Sequence, residues 1–127
     1  MLKRMVIVIV LLINLGAKYQ AQSFTYNAVK VVSIDKTTGA TKTNTEGCTL
    51  TWINLGERVP SRLDISAGAT FSLTPRSRPS ANHYIFDGQI LTDDAGNAFV
   101  HFFYRHNGSC YRIVIEWTNA KFTYTIK

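Results

Sequence analysis

The stretch AFVHFFYRHNGSCYRIVIEWTNAKFTYTIK, residues 98–127, decides the fold class because two turn signals divide it into three alternating segments. It is rich in Val, Ile, Thr, Tyr and Phe, which suit a pleated sheet. Asn107-Gly108 is a favoured two-residue hairpin turn, and Asn119-Ala120 is the second candidate turn. The sequence therefore predicts an antiparallel meander of three strands, 98–106, 110–118 and 121–127.

The two turns also predict which side chains face each other. On one face, every pair that the first turn predicts is apolar: Tyr104 with Tyr111, Phe102 with Ile113, Val100 with Ile115 and Ala98 with Trp117. The second turn uses the same face of the middle strand: Trp117 with Phe122, Ile115 with Tyr124 and Ile113 with Ile126. A slip of one residue would turn these side chains to the other surface, so the agreement predicts register as well as strands.

Shorter alternating segments, separated by turn residues, fill the chain before this meander. A turn at 67–69 is predicted to place Ile65 opposite Phe71 and Leu63 opposite Leu73. Lys30 breaks the alternation of the first segment, which indicates a β-bulge nearby.

Seven or eight strands are predicted, and most of them are joined to their neighbours in sequence. Segments 37–45 and 75–80 are predicted to be polar loops. Repeated short strands of this kind are typical of an all-β fold, a small barrel or a sandwich.

The first residues have the pattern of a secretory signal peptide. Lys3 and Arg4 precede the apolar run 5–15, which is too short to span a bilayer. Cleavage is predicted after Ala21, with Ala17 as the alternative site. The remaining residues, 22–127, are predicted to form one β domain, periplasmic or secreted, without a transmembrane anchor after cleavage.

Charge excludes one class of partner. Removing Lys3, Arg4 and Lys18 from the whole-chain net charge of +6 leaves eleven basic and eight acidic side chains, a net charge of +3. This balance is ordinary for a protein surface and does not indicate nucleic-acid binding.

Cys48 and Cys110 are the two cysteines of the chain. In an oxidising compartment, two cysteines far apart in sequence are predicted to form a disulfide. Two free buried thiols are the alternative.

The predicted meander resembles a known group of proteins. An Ala21-Gln22 cleavage site, the turn Asp93-Asp94-Ala95-Gly96 and the ending 117–127 are similar to small exported proteins of Bacteroidota, some with lipocalin-like (calycin-type) barrels. The resemblance implies a barrel and no particular activity. The Gly-x-Trp signature of lipocalins is absent, since the first segment offers only Phe24 and Tyr26, and no functional residue is carried over.

The second face of the meander carries the candidate binding residues. A solvated face is usually more polar than this one, which suggests an apolar patch or cavity wall with polar handles. The alternative is that a loop or the first strand covers these side chains. The candidates are Phe99, His101, Phe103, Arg105 and Arg112.

Arginines flank the prolines of two segments, at positions 58, 62, 76 and 78. They would contact an anion or an acidic glycan if the two segments meet at one end of the barrel, and otherwise they are solvated. No cofactor is predicted, and the spacing of His83, His101 and His106 does not indicate a metal site.

The function predicted from these features is that of a non-catalytic exported module that binds a small amphipathic ligand or a partner protein. One alternative is a cell-envelope hydrolase that uses His101 with a nearby acid. Another is a structural or assembly protein that adds an edge strand to a partner.

Overall fold

The computed structural model describes residues 22–56 and 58–127. The predicted signal peptide, residues 1–21, lies outside the described residues. The described chain forms nine strands: β1 Gln22–Asp35, β2 Thr41–Asn44, β3 Cys48–Asn54, β4 Ser61–Ile65, β5 Ala69–Ser80, β6 His83–Ile90, β7 Asn97–Tyr104, β8 Cys110–Glu116 and β9 Ala120–Ile126. Among the described residues, no helix has the length and apolarity needed to cross a membrane.

The sheet closes on itself through its first and last long strands. The strand order is β2-β1-β3-β4-β5-β6-β7-β8-β9, and β1 also pairs with β9 from Ala28–Ile126 to Asp35–Ala120. Eight strands therefore form a closed antiparallel barrel, with β2 as an extra strand beside the second half of β1. The all-β meander is confirmed, and of the two predicted shapes the barrel is the one formed.

The barrel interior is filled by the inward side chains of all eight barrel strands. The largest fully buried side chains are Phe71, Phe102, Leu50, Leu63, Leu73, Ile113, Ile115 and Val100. Each alternates with outward residues along its strand, as the two-residue period of a pleated strand requires. The middle of the barrel is a packed core, and open space occurs at its ends.

The predicted pairing of β7 with β8 is confirmed over most of its length. Phe102 pairs with Ile113 and Val100 pairs with Ile115. The predicted pair of Ala98 with Trp117 is not part of the ladder, because β8 ends at Glu116.

Close to the turn the predicted register is wrong. Tyr104 pairs with Cys110 rather than with Tyr111, and the ladder shifts there. The connecting loop has three residues, 106–108, and Gly108 has a φ of 90°. The three-residue loop sets the pairing beside the turn one residue away from that of a two-residue turn, and a bulge at Tyr111 restores the predicted register further along β8.

The register of β9 against β8 differs from the prediction by two residues. Ile115 pairs with Phe122 and Ile113 with Tyr124, and the turn is 118–119. The predicted pairs were Trp117 with Phe122, Ile115 with Tyr124 and Ile113 with Ile126. A shift of two keeps every side chain on its face, so hydrophobic alternation does not distinguish the two registers.

The hairpin of β4 and β5 shows the same two-residue difference. Leu63 pairs with Phe71 and Ile65 with Ala69, so the predicted pairs Ile65–Phe71 and Leu63–Leu73 are wrong. The amide of Gly68 donates to the carbonyl of Ile65 at 2.9 Å, which places the loop at 66–68.

Two predicted loops are partly strand. Segment 75–80 belongs to β5 and pairs irregularly with β6, with register shifts on both sides of Ser77. Segment 37–45 contains β2. Both segments are polar because they are exposed, and exposure alone does not separate a loop from an edge strand. The predicted bulge in the first strand is confirmed by a register shift between Ala28 and Lys30.

The predicted disulfide is wrong: Cys48 and Cys110 are both free. Cys48 lies on β3 and Cys110 on β8, and β1 and β9 stand between these strands in the barrel. The sulfur of Cys110 contacts the carbonyl oxygen of Arg112 at 3.6 Å. Burial raises the pKa of the Cys110 thiol to about 11, so this thiol is protonated at neutral pH.

Candidate functional site

The five predicted site residues lie together on the outside of the barrel. We call Phe99, His101, Phe103, Arg105 and Arg112 the outer-wall cluster. Their strands, β7 and β8, turn the opposite face towards the core. They therefore do not line the barrel interior, and of the five only Phe99 lines an open groove, of about 670 Å³, which it shares with Asp87 and Glu116.

Stacked rings hold the centre of the outer-wall cluster. Phe103 stacks on His83 with ring centroids 4.2 Å apart. The guanidinium carbon of Arg112 lies 4.2 Å from the centroid of the Phe103 ring, a cation–π distance. The Nε of Arg112 is buried and has no hydrogen-bond partner in the described part of the chain.

The ends of the outer-wall cluster are more open. Phe99 is 41% exposed, and the guanidinium carbon of Arg76 lies 4.7 Å from its ring centroid. Arg76, from segment 75–80, is thus a partial cover for Phe99, as the alternative interpretation proposed. Arg105 extends from the end of β7 and contacts the Ser109 hydroxyl at 3.3 Å.

A chain of polar contacts crosses the same wall. His83 Nε2 and His101 Nδ1 are 2.9 Å apart, so one ring donates a hydrogen bond and the other accepts it. His101 Nε2 lies 3.5 Å from Glu116 Oε1, and Lys36 Nζ lies 2.8 Å from Glu116 Oε2. The hydrogen bond from Lys36 lowers the pKa of Glu116.

Both histidines favour the neutral form. Burial lowers the pKa of His101 from its usual 6.5, and His83 lowers it further while Glu116 opposes the change. Burial and the charge of Arg112 lower the pKa of His83. At neutral pH the pair is therefore two neutral rings that share one hydrogen bond.

This pair predicts a pH-dependent stability. Since both pKa values are lower in the folded chain, the unfolded chain binds more protons as the pH falls through about 6.5. The free energy of unfolding is therefore expected to decrease below that pH, and the His101→Gln variant should show a weaker decrease. Urea unfolding at a series of pH values from about 5.5 to 7.5 measures both slopes.

The matched control is His106→Gln, which removes a histidine of the exposed 106–108 loop. It should keep the wild-type slope. A slope that His101→Gln leaves unchanged would contradict the role of the pair.

The sequence did not predict the aromatic opening at one end of the barrel. We call this opening the mouth; the β5–β6 and β7–β8 turns lie beside it. It comprises two adjoining cavities, of about 400 Å³ and about 460 Å³, that share Trp52, Tyr104 and Gly108. The other aromatic side chains that line it are Phe24, Tyr26, Tyr84, Phe86 and Phe102.

Trp52 is fixed in the mouth by its neighbours. Its indole Nε1 donates a hydrogen bond to the Ser61 hydroxyl at 2.9 Å. Phe24 stacks on it with ring centroids 5.6 Å apart, and Phe86 and Phe102 lie at 6.4 Å and 6.1 Å. The large apolar surfaces of these rings form the floor of the mouth.

Tyrosine hydroxyls supply polar groups beside this floor. Tyr84 and Tyr104 meet edge to face with centroids 5.6 Å apart. Burial raises the pKa of Tyr26 and raises that of Tyr104 more strongly. Both phenols therefore keep their protons at neutral pH, and the hydrogen bond between the two side chains uses one of these protons.

The opposite end of the barrel has a different character. A cavity of about 540 Å³ there is lined by Trp117 and Phe122 together with Asp93. The Trp117 indole donates to the Gly96 carbonyl at 3.2 Å and packs on Phe122. Trp117 thus connects the β6–β7 loop with the β8–β9 turn across that end.

The signals for the mouth in the sequence are weak. Tyr84, Phe86 and Tyr104 belong to alternating segments, which predict strands and their faces but no opening, and Trp52 also lies in a strand. Their convergence depends on closure of the barrel, which pairing between neighbouring strands does not reveal.

The described residues include no group of three or more His, Cys, Asp or Glu side chains placed to hold a metal ion. No protein-family model, curated protein or solved structure matches this chain.

Proposed function

We propose that the protein is a non-catalytic binding module that holds a small amphipathic ligand in the mouth. The observation that supports this function is the cluster of aromatic side chains around an open cavity of about 400 Å³ at the end of a packed barrel. Pockets for small molecules are typically a few hundred Å³ in size and mostly apolar, with a few polar groups that orient the ligand.

The apolar and the polar side chains of the mouth match the apolar and the polar end of such a ligand. Trp52, Phe86 and Phe102 offer apolar surface to a ring or an alkyl chain. Tyr84, Tyr104 and Asn82, the last at the β5–β6 turn, are lining residues whose side chains carry polar groups. A ligand with one apolar and one polar end satisfies both.

Export is the second part of the proposal. The positively charged start, the short apolar run and the predicted cleavage after Ala21 support action in the periplasm or outside the cell. The resemblance to small exported Bacteroidota proteins with lipocalin-like barrels agrees with this proposal.

A cell-envelope hydrolase is the rival proposal, because Glu116 lies 3.5 Å from His101. Its weakness is location. Neither His83 nor His101 lines any of the cavities at the barrel ends. In the described part of the chain, neither ring has a hydroxyl or thiol as its hydrogen-bond partner.

Use of an edge strand by a structural protein has less support. β2 is the strand outside the closed barrel, and all four of its residues are exposed. It is short and carries Lys42, which are features that protect an edge from pairing.

Blocking the mouth tests the proposed function. Ala81 is exposed and lines the mouth, so Ala81→Trp should fill it with little loss of stability. N-phenyl-1-naphthylamine, an uncharged probe that fluoresces in apolar sites, is expected to bind the wild-type protein. The substitution should weaken this binding by about tenfold or more, which is 1.4 kcal/mol.

Two controls accompany this variant. Ala67→Trp makes the same change in the 66–68 turn at the opposite end, and His101→Ala alters the outer wall. Both should bind the probe as the wild type does. If no variant changes the affinity, or if Ala67→Trp abolishes binding, the ligand site is not the mouth.

A further inference from the structure

A cationic side chain lies directly against the mouth. The guanidinium carbon of Arg78 is 4.7 Å from the centroid of the Tyr84 ring. One of its terminal nitrogens donates to the Ala81 carbonyl at 3.1 Å. Because Tyr84 and Ala81 both line the mouth, the charge of Arg78 is held at its rim.

Two more cations lie near the opening, Lys127 in its lining and Arg105 on the outer wall beside it. Arg105 contacts the hydroxyl of Ser109, which also lines it, at 3.3 Å. The described residues that line the mouth include no Asp or Glu.

Two arginines elsewhere on the barrel are paired with carboxylates, whereas Arg78 is not. Arg62 pairs with Asp64 at 3.0 Å, and Arg76 pairs with Asp87 at 3.1 Å. Among the described residues, no carboxylate lies within ion-pair distance of Arg78. The guanidinium of Arg78 is therefore available to an anionic group that enters the mouth.

Acidic side chains are found at the opposite end. Asp93 lines the cavity there and accepts a hydrogen bond from the Ala95 amide at 2.8 Å. The Asp35 carboxylate accepts hydrogen bonds from the Thr37 and Thr38 amides in the turn after β1. The cavity at the opposite end thus has a carboxylate in its lining whereas the described lining of the mouth has none, which favours entry of an anion at the mouth.

We propose that the ligand carries a negatively charged head group, a carboxylate, sulfate or phosphate, which Arg78 binds at the rim while the apolar part enters the mouth. Arg105 and Lys127 add positive potential near the opening. This inference rests on the proposed function. The planar fork of a guanidinium can donate hydrogen bonds to two oxygens of such an oxyanion, and it stays charged at all relevant pH values.

Amphiphiles with the same ten-carbon chain and different head groups test this inference. Decanoate, decyltrimethylammonium and decyl maltoside are added below their micelle concentrations, and each displaces bound N-phenyl-1-naphthylamine. Decanoate is expected to bind about tenfold more tightly than the cationic compound, as a charge-assisted hydrogen bond allows. The difference should decrease at high salt.

The decisive variant is Arg78→Gln, with Arg76→Gln as the matched control. Arg76 lies on the same strand but contacts Phe99 and Asp87 on the outer wall. Arg78→Gln should lower the decanoate affinity by about tenfold and leave decyl maltoside unchanged. Arg76→Gln should change neither affinity.

The outcomes separate the two proposals. If neither the probe nor any of the three compounds binds, the proposed function fails. If all three bind equally, or if Arg76→Gln and Arg78→Gln have equal effects, only the charge inference fails. Binding to anionic phospholipid vesicles without binding of monomeric decanoate would also overturn it, because the anion would then be recognised at a surface.

Discussion

Replacing Phe102 by alanine is expected to lower the free energy of unfolding by about 3–5 kcal/mol. Its side chain is 1% exposed and lies at the centre of the barrel aromatics, 5.4 Å from Phe86 and 6.1 Å from Trp52 between ring centroids. The surrounding strands are fixed by pairing on both sides, so the cavity would not collapse. Urea unfolding measures the loss.

The matched control is Phe99→Ala, three residues earlier on the same strand. Phe99 points outward, is 41% exposed and contacts Arg76. The substitution Phe99→Ala should lower the free energy of unfolding by less than about 1 kcal/mol. Equal losses at the two positions would contradict the assignment of inner and outer faces on β7.

The second large effect is expected from Thr123→Pro. Thr123 lies in β9 and is paired with Val32 of β1 on one side and Val114 of β8 on the other. In a strand bonded at both edges, proline removes a ladder hydrogen bond and leaves a buried acceptor without a donor. We expect the free energy of unfolding, measured with urea, to decrease by about 3 kcal/mol, or the variant to fail to fold.

Lys42→Pro is the control for this effect. Lys42 lies in β2, which pairs with β1 along one edge and is exposed throughout. The loss there should not exceed about 1.5 kcal/mol. If Thr123→Pro is tolerated as well as Lys42→Pro, β9 is an edge strand and the barrel is open.

The sequence predicts which face of each strand is buried, because alternation has a period of two. It does not predict register to better than two residues, as the pairs of Ile115 and Leu63 show. The position and length of the turn decide between such registers. The β8–β9 turn is 118–119 rather than the predicted 119–120, and the β4–β5 loop is 66–68, whereas the predicted pair of Ile65 with Phe71 would make it 66–70.

Barrel closure lies beyond what local patterns predict. It depends on contacts between β1 and β9, which are far apart in sequence. The mouth follows from closure, since Trp52, Tyr84 and Tyr104 come from three separate strands. The outer-wall cluster was predicted from one hairpin, and its residues do lie together because they share that hairpin.

The disulfide prediction failed for a related reason. It used the number of cysteines and the expected compartment, and neither describes where the strands lie. Cys48 and Cys110 occupy strands that β1 and β9 separate.

The most direct test of a ligand site in the mouth is an amide NMR titration with N-phenyl-1-naphthylamine up to one equivalent. The amides of Asn82 and Gly108, which line the mouth, should shift most, and those of Gly68 and Ala95 at the opposite end should stay unchanged. Shifts confined to that opposite end, or to His101 and Phe103 on the outer wall, would contradict the proposed site.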